Sequence, residues 1–330
     1  MFEQIKPLIE GSLIYGIGTI GLALTYIYLK FPDLTVLGSI IVGGIGGVFV
    51  ANHLGGAWAL PASLAFGGIL GFTTAFLINV LEIQAVLAGI ITLTASQSLC
   101  YLLTEGGVIS LKVEAQGVYL DPVYSINDVI FLIVSLIVIC LFLWLFMQSK
   151  AGLLLVAMTA RKKYIRNRHR YRKSMYYIAC IIGNALVGLA GGFYALNDSN
   201  ASILGAHTDF LPLCLGAIFA GNAVTSFLSE RLHGANGNGK DEKGRFHSPI
   251  RSFIASLVAV NLGRKPRFTV LLVSYVFSCF ALTMITRAVE NHLFKHIHPS
   301  LDIGAKYHHL AIAILLTIFI SWYGQREDDS

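Results

Sequence analysis

The stretch KAGLLLVAMTARKKYIRNRHRYRK, Lys150 to Lys173, holds nine Lys/Arg and no acid between two long apolar runs, and it orients every other segment of the chain. Outward from it, long uncharged runs alternate with short polar breaks. With 55% hydrophobic residues, 13% charged residues and a mean hydropathy of +0.69 over 330 residues, the chain cannot hide its apolar surface in one water-soluble core. Runs of about 18 or more uncharged residues have the length a helix needs to cross roughly 30 Å of hydrocarbon, and they are too long and continuous for barrel strands. The sequence therefore reads as an all-α, polytopic membrane protein of about nine transmembrane segments, with a discontinuous region near residues 31–39.

The expected spans run Gly11 to Leu29, Thr35 to Asn52, Gly56 to Leu81, Ile83 to Leu103, Val129 to Gln148, Ser174 to Leu196, Phe210 to Ser229, Phe268 to Thr286 and Ile303 to Tyr323. Positive charge collects on the cytoplasmic side of membrane proteins, so the basic stretch belongs inside. Counting back through five spans puts the N-terminus outside. The loop from Glu105 to Asp128, with one Lys against four acids, falls outside, whereas Ser229 to Arg267, with eight Lys/Arg against three acids, falls inside. An odd span count leaves the tail QREDDS in the cytoplasm. This bias accounts for the net charge of +6 without invoking nucleic acid. Glu3, Lys6 and Glu10 precede a first run too long for a signal h-region, so that run is expected to be retained. Residues 1–330 read as a single transmembrane domain with a loop at 149–173 and an inserted loop at 229–267.

Within the spans, Gly43 and Gly47, Gly67 and Gly71, and Gly188 and Gly192 have the spacing that lets helix backbones approach closely. Cys100, Cys140, Cys180, Cys214 and Cys279 are single and lie inside apolar runs, which suits small core residues rather than a disulfide framework. In FPDLTVLGS, Phe31 to Ser39, Pro32 disfavours helix at Phe31, and Asp33 is costly facing lipid. A break between membrane helices frees backbone groups to bind a solute or line a pathway; a surface turn is the plainer alternative. The run HTDFLPLCLGAIFAGNAV, His207 to Val224, repeats the theme of acid, proline and glycine and hints at two related halves.

Thr92, Thr94, Gln97, Asn184 and Asn222 are polar residues inside spans, where each needs a partner helix or a cavity; pathway lining and helix-helix hydrogen bonding are equally open. His292, His296, His298, His308 and His309 flank the last outward loop, but no Cys or acid cluster completes a coordination shell, so no metal is expected. GANGNGKD, Gly234 to Asp241, matches the phosphate-loop pattern except that Asp241 stands where a Ser or Thr hydroxyl would hold magnesium. After it, Ile250, Ile254, Leu257 and Val258 share one helical face and read as a helix lying on the membrane surface. No hydrolase triad, dinucleotide fingerprint or catalytic carboxylate pair stands out, so the chain is not expected to be an enzyme by itself.

FPDLTVLGS, LAGIITLTASQSL (Leu87 to Leu99), SKAGLLLVAMTARK (Ser149 to Lys162) and GNALVGLAGGFYA (Gly183 to Ala195) occur in the order and spacing of ABC-transporter permeases. The chain resembles the branched-chain amino acid and ribose permease superfamily, and within it the tryptophan/tyrosine-type importer group. It departs from that pattern at Leu37, where an acid is common, and at Thr159, Ala160, Arg161 and Lys162, which replace Arg-Ala-x-Gly. The resemblance implies the translocation subunit of an ATP-driven importer of a small solute, an amino acid or related compound, in the bacterial inner membrane. It implies as partners a second permease copy, two cytoplasmic ATP-binding subunits that hydrolyse the ATP, and an extracytoplasmic solute-binding protein, with no cofactor held by this chain. Asp33, Thr35, Ser39, Thr92, Thr94, Gln97, Asn184 and Asn222 are the candidates for the solute pathway. Gly152, Leu153, Leu154, Val156, Arg161, Lys162 and Lys163 are the candidates for coupling to the ATPase, through a short helix whose leucines fill a groove. An ion-coupled secondary transporter or channel without an ATPase is the main alternative, and a membrane scaffold or lipid-handling protein is the third.

Overall fold

The computed structural model describes residues 2–29, 33–104, 106–112, 126–160, 169–203 and 210–222, together with Ser278 and Ala281. Helices dominate: α1 (Phe2–Leu29), α2 (Thr35–Leu54), a 3-10 turn (Gly56–Trp58), α3 (Ala59–Asn79), α4 (Ala85–Leu103), α5 (Ile126–Gln148), α6 (Lys150–Ala160), α7 (His169–Asn197) and α8 (Phe210–Asn222). Among the described residues five stretches are long and apolar enough to cross a membrane: Thr35–Leu54, Gly56–Asn79, Ala85–Leu103, Val129–Gln148 and Lys173–Asn197. These coincide with the second to sixth expected spans. The first expected span lies within α1, which starts earlier and encloses a buried Lys6–Glu10 ion pair at 3.3 Å. The segment 229–267, the phosphate-loop look-alike, the histidine cluster and, apart from Ser278 and Ala281, the last two expected spans lie outside the described residues.

The fold is organised around α7, which packs against α1, α2 and α3. Gly21 and Thr25 of α1 meet Gly183, and Gly18 meets Ala190, so α1 runs antiparallel to α7. On α2, Gly43 lies on Gly188 and Gly44 on Gly191, a parallel pairing, while Gly71 and Gly67 of α3 lie on Cys180 and Asn184, antiparallel. A methyl at Gly43 would overlap the Gly188 backbone, and one at Gly67 or Gly71 would overlap a carbonyl of α7. All three sequence-read glycine pairs thus lie in one seam system, Gly47 and Gly192 both resting on Ser63. In lipid no hydrophobic difference drives helices together, so this close backbone approach supplies the contact.

Two short strands, not anticipated in an all-α reading, cap one end of the bundle. β1 (Val108–Ser110) pairs antiparallel with β2 (Asn200–Ser202), Ile109 opposite Ala201. Asn52, near the end of α2, continues the ladder with its side chain, donating to the Ser110 carbonyl at 2.9 Å and accepting from the Lys112 N–H at 2.8 Å. The opposite end carries the termini of α3 and α5, the start of α7, and α6; this is the basic end.

Candidate functional site

The turn into α2 brings a polar cluster together inside the bundle. Asp33 is buried, and its carboxylate accepts the Thr35 N–H at 3.0 Å and the Asn184 side-chain amide at 3.0 Å. An acid ahead of a helix start is favoured there by the free N–H groups and their dipoles. Asn184 donates its second amide hydrogen to the Cys180 carbonyl at 3.0 Å and accepts from the Ser39 hydroxyl at 2.7 Å. On the other side of the turn the hydroxyls of Thr35 and Thr74 are 2.8 Å apart, Thr74 donates to Thr92 at 3.0 Å, and Thr92 donates to the Ala88 carbonyl at 2.8 Å. Four helices and the turn ahead of α2 contribute six side chains, and each hydroxyl has an acceptor. Such a network is stable only while satisfied, since each buried polar group left without a partner costs about 1–3 kcal/mol.

Its depth follows from the same contacts. Asn184 lies eleven residues along α7 from Lys173, about 16 Å at the helical rise. Thr74 is five residues short of the end of α3, and Gly89, packed on Leu34 and Thr35, is four residues into α4. The start of α2 therefore lies one to two turns inside the ends of α3 and α4, and about three turns along α7 from Lys173, not at the bundle surface. Of the discontinuous region expected near 31–39, residues 33–39 form this start of α2, and residues 31–32 lie outside the described residues.

Not every candidate joins the cluster. Asp33, Thr35, Ser39, Thr92 and Asn184 do. Thr94 is exposed and bonds back to the Ile90 and Ile91 carbonyls of its own helix, Gln97 is half-buried higher on α4, and Asn222 is half-buried at the end of α8. Thr74 was missed, although Gly67, Gly71 and Thr74 form a stripe of small residues at helical spacing that could have shown it.

At the basic end Ser149 breaks the chain between α5 and α6. Its hydroxyl donates to the Phe146 carbonyl at 2.6 Å and accepts the Gly152 N–H at 3.3 Å, while Leu153 N–H reaches the Ser149 carbonyl at 2.9 Å, an N-cap arrangement. Gly152 is buried on the backbone of Phe146 and Met147, where a side chain would not fit, so it shapes the elbow and presents nothing to a partner. Leu155 is buried with Met175 and Ala179, whereas Leu153 is 60% and Leu154 36% exposed. Val156 lies in α6 but its side chain is outside the described residues, as are Arg161, Lys162 and Lys163. Among the described residues no group of His, Cys, Asp and Glu could hold a metal ion.

A family model described as branched-chain amino acid transport system, permease component, matches residues 8–261. The chain belongs to this permease family. No curated protein and no solved structure matches it. The matched range of the permease holds most of α1 and all of α2 through α8, and with them the buried cluster and the α5–α6 elbow. Family and apolar helices together make it a multi-pass membrane component of a transport system.

Proposed function

We propose that this permease is the translocation subunit of an ATP-driven importer, with α6 as the helix that docks on a separate ATP-hydrolysing subunit. The observation that carries this is the division of α6: Leu155 faces the bundle while Leu153 and Leu154 stand exposed at the end that carries nine Lys/Arg. A helix held on one side by α5 and α7, with leucines on the other, suits a groove on a soluble partner, and Arg161, Lys162 and Lys163 would pair with acids at its rim. A segment required only for charge would have no use for those leucines. The basic end is then cytoplasmic, by the positive-inside bias, and the strand-capped end faces the solute-binding protein. A second permease copy and a second ATPase complete the assembly in the bacterial inner membrane. ATP is used on the partner, and this chain neither binds a cofactor nor acts as an enzyme by itself.

The Asp33–Asn184–Thr74 cluster is the point in the bundle where a small solute would exchange hydrogen bonds with the protein. As it stands each group is satisfied internally, as in an occluded state. A solute of amino-acid type, in the manner of the tryptophan/tyrosine-type group, fits a site of one carboxylate, one amide and four hydroxyls. An ion-coupled carrier would share the buried carboxylate but would leave the exposed leucines of α6 without a role.

Burying a leucine is worth roughly 1.5 to 3 kcal/mol, so replacing both Leu153 and Leu154 by Ala should weaken ATPase association at least tenfold and lower solute-stimulated hydrolysis. Co-purification after mild extraction reads the first effect. Unchanged association would remove α6 from the docking surface.

A further inference from the structure

Lys173 ends the basic stretch and begins the membrane-crossing part of α7, and it is tied to the last turn of α3. Its ammonium donates to the Asn79 carbonyl at 2.8 Å, and the Asn79 side-chain amide donates back to the Lys173 carbonyl at 3.4 Å. A cation on the last carbonyls of a helix completes groups that have no partner within the helix and meets the negative end of its dipole. The carboxylate of Glu82 stands 3.9 Å from the same ammonium. Glu82 has φ 54, a left-handed conformation that residues with a side chain seldom adopt, and the turn it makes carries its carboxylate to Lys173.

The location of these contacts matters more than their energy, because an ion pair this exposed contributes little stability. Going inward along the seam between α3 and α7, the next layer is Ala75 against Cys180, both buried beside Tyr176 and Tyr177. Next inward come Thr74 on α3 and Asn184 on α7, both members of the polar cluster. The clasp therefore stands between the basic end and the cluster.

We propose that the Lys173–Asn79–Glu82 clasp is the gate on the basic side of the permease, and that parting α3 from α7 there opens the polar cluster to that side. Its weakness suits the role: the Lys173 and Glu82 side chains are in reach of water and exchange their contacts readily for hydration, whereas the glycine seam above cannot open without separating backbones. Lys173 is a positioning residue in this scheme, since it holds two helices and need not touch the solute. The same residue ends the basic segment, so displacement of that segment would pull directly on the clasp.

The gate takes its meaning from the transport reading, but its test needs no ATPase. Cys180 lies just behind the clasp and serves as the reporter once the other four cysteines are replaced by serine or alanine. The rate at which a charged, membrane-impermeant methanethiosulfonate modifies Cys180 is measured from each side of sealed vesicles holding the full chain. Lys173→Met should raise the rate from the basic side at least tenfold with no change from the other side, and Lys173→Arg should keep it within about threefold of the parent. Glu82→Lys alters an exposed side chain and threatens folding least; it should raise the rate severalfold by repulsion. Unchanged rates in Lys173→Met and Glu82→Lys, or equal rises from both sides, would overturn the gate. Such a failure would leave ATPase docking through α6 standing, and a failure of docking would leave these rates unaffected.

Discussion

Helices α5 and α7 are both apolar and both long enough to cross a bilayer, yet 17% of the apolar stretch of α5 is buried within the protein against 78% of that of α7. The composition runs opposite to intuition from soluble proteins. The buried helix carries Asn184 and the glycines 183, 188, 191 and 192; the exposed one, INDVIFLIVSLIVICLFLWLFMQ, is almost entirely large and apolar. Lipid solvates Ile137, Val138 and Leu141 as well as a protein core would, so such residues need no shelter. Small and polar side chains do, because only a neighbouring helix offers them close backbone contact and hydrogen bonds. Of these two helices the less greasy one is in the core.

That contrast breaks most severely if bulk is added to α7. Gly188→Val would drive a branched side chain into the Ser63 carbonyl and Gly67. Overpacking of side chains costs about 1–3 kcal/mol, and here the obstacle is backbone, so the helices must separate. The expected outcome is loss of the monodisperse folded peak in detergent size-exclusion. A normal peak would mean that the seam is looser than its contacts state.

A smaller effect is expected from Asn184→Leu, which keeps the side-chain size but leaves the Asp33 carboxylate and the Ser39 hydroxyl each short of a partner. The loss should be about 2–6 kcal/mol, counting both groups, and the chain should remain foldable at low temperature with a clearly lower thermal midpoint. Adding Asp33→Asn should recover part of the loss by removing the buried charge, and a double-mutant cycle measures the coupling. If the single variant melts like the parent, the cluster does not bind the helices together.

The smallest effect belongs to Ile137→Ala on α5. A side chain 59% exposed on a lipid-facing helix should be removable within about 0.5 kcal/mol. A larger loss, with a change in oligomeric mass, would show that this face is covered by protein rather than lipid.

Much of this was readable in the chain. Run length gave the membrane class and the positions of the second to sixth spans; Asp33 marked the approach to α2; the basic stretch marked one end of the bundle; Asp33, Thr92 and Asn184 were candidates from their cost in hydrocarbon, and Thr35 and Ser39 from the stretch they share with Asp33. These are local quantities, set by the water-to-lipid transfer of each segment. What the chain could not disclose was which face of each helix is inward. In soluble proteins the apolar stripe answers that, but lipid and core are both apolar here, and the hydrophobic period loses its contrast. Thr92 and Thr94, two residues and about 200° apart, are equivalent in sequence. Packing alone sends Thr92 to Thr74 and leaves Thr94 bonded to its own helix. The same holds at the elbow, where Gly152, read with Leu153 and Leu154 as a docking residue, is turned into the bundle because Ser149 caps α6 and folds it back on Met147. Segment identity came from transfer energies that every residue carries with it. Facing came from where glycine lets two backbones meet, and that exists only once the helices are assembled.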